Sequence, residues 1–118
     1  MVFLDVVLSI ININRILQNC FNDDVILMFL NGYCLDYYDI LKTLYPDAKM
    51  VIEKNNYHCA ALINNEVYDV SGIRCKDDFF IASKNDEDFV YSFYGKMDDR
   101  DKKKIINLIK GISKKLII

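Results

Sequence analysis

A chain of 118 residues with 53% hydrophobic and 13% aromatic content has the length of one domain and enough apolar side chains for a continuous core without disulfide staples. Its 15 basic and 17 acidic residues leave a net charge of -2, which excludes an overall basic field able to recruit nucleic acid or an anionic membrane. Neither is therefore expected as a direct partner, and bulk electrostatics leaves the oligomeric state open.

The first segment, Met1 to Leu17, is apolar but interrupted by Asp5, Asn12, Asn14 and Arg15. It lacks the basic lead and small-residue cleavage site of a secretory signal, and falls short of the ~18 uninterrupted apolar residues of a membrane span. It is expected to belong to the fold, in a protein that stays in a cytosol. Phe3, Val6, Val7, Ile10, Ile13, Leu17 and Cys20 recur at three- and four-residue steps and predict an inward helical face over Phe3 to Cys20. After Asn22, Asp23 and Asp24 break the pattern, Val25 to Leu30 is a buried run too short to type by period.

Asn31, Gly32 and Tyr33 signal a turn. A second helix follows from Cys34 to Leu44, ended by Pro46, because a residue before proline avoids helical angles. Leu35, Tyr38, Leu41 and Tyr45 share one of its faces. Met50 to Glu53 reads as a strand and Asn55-Asn56 as a turn. His58 to Val70 reads as a β-hairpin turning at Asn64-Asn65, a dipeptide that tolerates positive φ. Gly72 to Asp77 is expected as loop, Asp78 to Ala82 as a strand, and Asp86 to Tyr94 as a short helix. Asp98 is placed to cap a last helix that turns Ile105, Leu108, Ile109, Ile112 and Leu116 inward and Lys102, Lys103, Lys104, Lys110, Lys114 and Lys115 to solvent.

The four cysteines, Cys20, Cys34, Cys59 and Cys75, are expected to be reduced thiols. No C-x-x-C pair exists and His58 is the only histidine, so neither a metal site nor another cofactor is expected.

The hairpin register can be computed. With Asn64-Asn65 at the turn, Ile63 faces Glu66, Leu62 faces Val67, Ala60 faces Asp69 and His58 faces Ser71. His58 and Asp69 then share a face as diagonal neighbours, about 7–8 Å between α-carbons, within reach of an imidazole-carboxylate hydrogen bond. Cys34, after Gly32 at a helix N-terminus, sits where free N–H groups and the helix dipole favour a thiolate. A helix packed on the His58 face would complete a Cys–His–Asp constellation suited to covalent acyl transfer. Cys59 points to the opposite hairpin face. Tyr33, Tyr37, Tyr57 and Tyr68 are candidates to line a cleft, and Asp36 and Asp39 are expected to complement the helix dipole.

The runs Asn31-Gly32-Tyr33-Cys34, Tyr37-Tyr38 to Tyr45-Pro46, and His58 through Asn64-Asn65 to Tyr68-Asp69-Val70-Ser71-Gly72 resemble small papain-like proteins of Firmicutes and their phages or mobile elements. The low-Pro, Ile/Asn/Lys-rich composition suits such a source. The resemblance implies an α+β fold over residues 1–118: a minimal papain-like or transglutaminase-like core with a nucleophile helix on an antiparallel sheet, flanked by N- and C-terminal helices. By carry-over, Cys34 is the nucleophile, His58 the general base and Asp69 the orienting group. One departure stands out: Met28 occupies the position, six before the cysteine, where papain-type enzymes carry an oxyanion-hole glutamine, and the only glutamine is Gln18. Asn31 is the candidate substitute donor, with Tyr33 and Tyr57 as further candidate substrate contacts.

Two function classes follow. One is a thiol hydrolase or acyltransferase acting on an amide bond of a protein or peptide. The other is a non-catalytic, phage-type inhibitor of a bacterial defence complex, anti-CRISPR-like, that binds its target through an acidic or apolar face. Asp77, Asp78, Asp86, Glu87 and Asp88 are the acidic candidates for that face.

Overall fold

In the computed structural model, which describes residues 2–93 and 97–116, Asn64 and Asn65 take φ of 49° and 71°. These left-handed values are what a two-residue hairpin turn demands and asparagine tolerates. The turn joins β2 (Cys59–Ile63) to β3 (Glu66–Asp69) in the expected register, with Ile63 opposite Glu66 and Leu62 opposite Val67. β1 (Lys49–Glu53) pairs with β2, and β5 (Phe79–Ile81) lies beyond it. All neighbours in the five-stranded sheet run antiparallel, in the order β4-β3-β2-β1-β5. β4 (Gly72–Arg74) and a 3₁₀ turn at Lys76–Asp78 occupy the stretch expected as loop. Gly72, at φ 107°, turns the chain straight back along β3, a conformation open to glycine and strained for other residues.

Five α-helices are present among the described residues: α1 (Val2–Cys20), α2 (Val25–Asn31), α3 (Cys34–Leu44), α4 (Lys84–Phe93) and α5 (Asp99–Leu116). Side-chain caps set their starts. Asp24 Oδ1 accepts from Ile26 and Leu27 N–H, and Asp98 Oδ1 from Arg100 N–H. Ser83 and Asp86 cap α4 reciprocally: Asp86 N–H donates to Ser83 Oγ, and Ser83 N–H to Asp86 Oδ2. The Asp24 cap fixes the roll of α2 so that Val25 and Phe29 go inward. Ile26 and Leu27, expected to be buried, face outward at 44% and 58% exposure.

The two sheet faces differ. Cys59, Ala61, Ile63, Tyr68 and Val70 join one core with the helices, whereas Val51, Ala60, Val67 and Phe79 form a smaller cluster on the other side. α3 therefore packs on the Cys59 face and not, as expected, on the face shared by His58 and Asp69. The physical reason is composition: apart from the half-buried Glu66 at the hairpin tip, the Cys59 face is apolar, whereas the other carries Asp69 and Ser71, so burial selects the former. Each large aliphatic or aromatic side chain fully buried there contributes ~1.5–3 kcal/mol.

Three further expectations are corrected. Cys20 and Leu108 are exposed, and the packed stripe of α5 runs through Ile105, Ile106 and Ile109 instead. Lys102 leaves the lysine face: its Nζ lies 2.8 Å from Asp36 Oδ1 and 2.9 Å from Asp39 Oδ2. Asp36, fully buried, also accepts a hydrogen bond from Met97 N–H. The two aspartates thus dock α5 onto α3, a tertiary role added to the dipole role expected from their helix position, and Asp36 does lie in the first turn of α3. Tyr94 and the side chains of Phe3, Ile112, Lys114, Lys115 and Leu116 lie outside the described residues.

Candidate functional site

Cys34 is the first residue of α3, and Tyr33, which precedes it, makes no side-chain cap bond. The first-turn N–H groups of α3 are therefore left to other acceptors, and their partial positive charge favours a thiolate at this position. His58 stands just ahead of β2, after Tyr57 at φ 54°. It is outside the pleat, so strand alternation does not dictate its direction. Its backbone carbonyl accepts from Glu53 N–H at 2.8 Å, which holds it at the end of the sheet. From there its ring reaches Asp69 on one side and the helix layer on the other.

Asp69, the last residue of β3, is buried and fully engaged. Its Oδ2 lies 2.8 Å from His58 Nε2 and accepts from Arg74 Nη1 at 2.6 Å. Its Oδ1 accepts from Ser71 N–H at 2.8 Å and Ser71 Oγ at 2.5 Å. Arg74 also pairs with Glu53 at 2.9 Å and lies over the Phe79 ring. Behind these, Asn14 of α1 donates to the Val70 carbonyl and accepts from the Tyr37 hydroxyl, both at 2.8 Å. The loop that follows Asp69 is thereby tied to α1 and α3.

With Nε2 committed to Asp69, the other ring nitrogen matters. His58 Nδ1 is buried and has no hydrogen-bond partner, and His58 and Cys34 line the same enclosed pocket. The thiol and imidazole thus interact electrostatically without a formed hydrogen bond, as is common at sites without substrate. Burial opposes a charge on His58, but the bonds to Asp69 and the influence of Cys34 overcome it and raise its pKa to about 9. Burial likewise opposes the Asp69 charge, and His58 and Ser71 hold its carboxyl below the usual range nonetheless.

A second sulfur adjoins the first. Cys59 Sγ lies 3.4 Å from Cys34 Sγ, and both thiols are free and buried. Donation from Cys59 lowers the Cys34 pKa most, against the effect of burial and with help from His58, while the Cys59 thiol is pushed far up by the same neighbour and by burial. These opposite shifts favour the negative charge of the pair on Cys34, the sulfur on which His58 acts. The Cys34 and His58 shifts both run in the direction that favours a thiolate–imidazolium pair.

An open cleft of about 430 Å³ leads to Cys34 and His58, lined also by Leu30, Asn31, Glu53, Asn56 and Arg74. Asn31 is in this cleft, although its Nδ2 is tied to the Leu27 carbonyl at 2.8 Å. Tyr33 packs on Phe29 and Tyr57 on Phe89, and neither lines this cleft or the enclosed pocket. Tyr37 and Tyr68 line the enclosed pocket. Gln18 braces the α1–α2 turn through the Asp23 carbonyl and Val25 N–H, and Met28 packs against the core. Neither supplies a donor to the cleft.

The sequence reading missed Arg74, Ser71 and Cys59. Ser71 carried a signal, since Asp-x-Ser is a side-chain-to-backbone turn pattern. Arg74 lay hidden in the unrecognised β4. Cys59 lies on the hairpin face expected of it, and that face is the one α3 covers.

These observations define a small α+β protein with a buried Cys–His–Asp constellation at the junction of a helix start and a sheet end. The chain belongs to the phage YunG-like protein family, whose description matches residues 13–110 and so includes all three side chains. That membership associates it with phage. No curated protein and no solved structure matches it. No helix among the described residues is long and apolar enough to cross a membrane.

Proposed function

We propose that this protein is a thiol hydrolase or acyltransferase of papain-like type, acting on an amide bond of a protein or peptide through an acyl-enzyme at Cys34. The observation that carries the reading is the buried relay from Asp69 Oδ2 to His58 Nε2 at 2.8 Å, with the unpartnered Nδ1 in the same pocket as the Cys34 thiol. α3 packed on an antiparallel sheet, with His and Asp at the ends of adjacent strands, supports the papain-like assignment and the treatment of residues 1–118 as one domain; the phage association supports a place of action in the host cytosol.

In this mechanism the Cys34 thiolate attacks the carbonyl carbon, and His58 delivers its proton to the leaving amine as the C–N bond breaks. Water or a second amine then attacks the thioester, with neutral His58 taking its proton. Asp69 remains ionised and stabilises the imidazolium. The uncapped first-turn N–H groups of α3 serve as oxyanion donors, a role that Met28 cannot fill.

The test is acyl-enzyme capture. p-Nitrophenyl acetate at neutral pH, followed by acid quench and peptide mapping, is expected to acetylate Cys34 ahead of the exposed Cys20 and Cys75. His58→Ala is expected to slow both formation and hydrolysis of the adduct. Acetylation scattered over the exposed thiols would refute the reading. Met28 at the glutamine position and the phage association favour one alternative, a non-catalytic inhibitor that uses the same scaffold to bind a bacterial defence complex. Under it Cys34 acylates no faster than the surface thiols.

A further inference from the structure

Cys34 stands between two spaces. On its outer side is the open cleft, which it lines with His58. On its inner side is the enclosed pocket, lined by Cys34, His58 and Cys59 and without room for a water molecule. Cys59 is 1% exposed and lines only the inner space, so a reagent meets Cys34 first and Cys59 only through it. The two sulfurs are 3.4 Å apart and need to close by only ~1.4 Å to reach disulfide length. Buried free cysteines often serve as small apolar residues. Two that touch, with one facing a cleft and an imidazole, are also arranged as an attacking and a resolving thiol.

We propose that Cys34 and Cys59 form a redox pair in which a small hydroperoxide oxidises Cys34 and Cys59 closes an intramolecular disulfide. In the first step the Cys34 thiolate attacks the distal peroxide oxygen: an S–O bond forms, the O–O bond breaks, and the departing alkoxide takes the proton of His58. In the second, Cys59 gives its proton to His58 and its sulfur attacks Cys34. The S–S bond forms, the S–O bond breaks, and the hydroxide leaves as water with the same proton. Two thiols lose two electrons in total, the peroxide gains them, and an alcohol and water are released. The proposal is independent of acyl transfer, although the disulfide removes the nucleophile that acyl transfer needs.

The experiment uses the full chain with the exposed thiols removed by Cys20→Ser and Cys75→Ser. It is treated at neutral pH with graded hydrogen peroxide, quenched with catalase, denatured in N-ethylmaleimide and mapped by mass spectrometry. The expected result is joint loss of both alkylatable thiols, a cross-linked peptide joining Cys34 and Cys59, and full recovery with dithiothreitol. Adding Cys59→Ser, with folding checked by thermal melting, is expected to let Cys34 run on to sulfinic acid at the same peroxide dose. Sulfinic acid at Cys34 with Cys59 still alkylated in the parent would overturn the proposal. So would a Cys34 left reduced by peroxide sufficient to oxidise free cysteine. The parent measurement alone decides, whether or not the Cys59 variant folds.

Discussion

Because His58 is the only histidine in the chain, one imidazole titration reports on the whole site, and Asp69→Asn is the perturbation that tests it. The hydrogen bond to Asp69 and the adjacent Cys34 raise the His58 pKa from 6.5 to about 9 against the cost of burial. That difference corresponds to roughly 3 kcal/mol of preference for the charged ring. A group whose folded pKa is raised contributes stability that is complete below its unfolded value. This contribution is therefore full below about pH 6.5 and fades as pH rises toward about 9. With asparagine at position 69 the burial penalty remains and the carboxylate is gone, so the ring is expected to titrate at or below its ordinary value. Cys34→Ser is expected to give a smaller fall, because Asp69 still holds Nε2. Long-range proton–nitrogen NMR across the titration reads the value and the tautomer together. Urea melts on either side of the window read the stability. A wild-type His58 that titrates at or below its ordinary value, or is indifferent to Asp69→Asn, would refute the reasoning.

Lys102→Met strands the buried Asp36 carboxylate and is expected to cost about 3–5 kcal/mol in denaturant melts. The exposed Lys103→Met should stay within about 0.5 kcal/mol, and equal effects would contradict the docking role of Lys102. At the hairpin turn, Asn65→Gly is expected to be neutral or slightly stabilising, whereas Asn65→Val should cost ~1–2 kcal/mol at its positive φ. Equal melting temperatures for the two would contradict the turn assignment. The depressed Asp69 carboxyl contributes stability that is present above its ordinary pKa of 3.8 and is lost as pH falls below it. Asp69→Asn is expected to flatten that acid limb of the stability–pH curve.

Much of this architecture was legible locally. Asn64-Asn65 dictates the hairpin and its register by backbone sterics, and Pro46 and Asp98 mark helix boundaries through φ restriction and capping, so these features needed no tertiary information. The register from the turn brings His58 and Asp69 to the same end of the sheet, but the direction of the His58 ring, which lies outside the pleat, was not legible from it. What was not legible depends on choices between surfaces. Which face of the hairpin α3 covers is decided by the summed burial of Cys59, Ala61, Ile63, Tyr68 and Val70, and with it the contact between Cys34 and Cys59. Lys102 reads as one lysine among many until Asp36 and Asp39 are placed opposite it across α3 and α5. β4 is three residues long, too short for a period, and its loss hid Arg74. The candidate oxyanion donors at the first turn of α3 are backbone groups, which carry no residue signature, unlike the Asn31 side chain.

The most direct test of an activated Cys34 is alkylation by limiting iodoacetamide from about pH 5 to 9, mapped by mass spectrometry in the native protein and in His58→Ala. The account predicts labelling at Cys34 that persists well below the ordinary thiol range and that slows when His58 is lost. Labelling of Cys34 that follows an ordinary thiol titration and ignores His58 would contradict it.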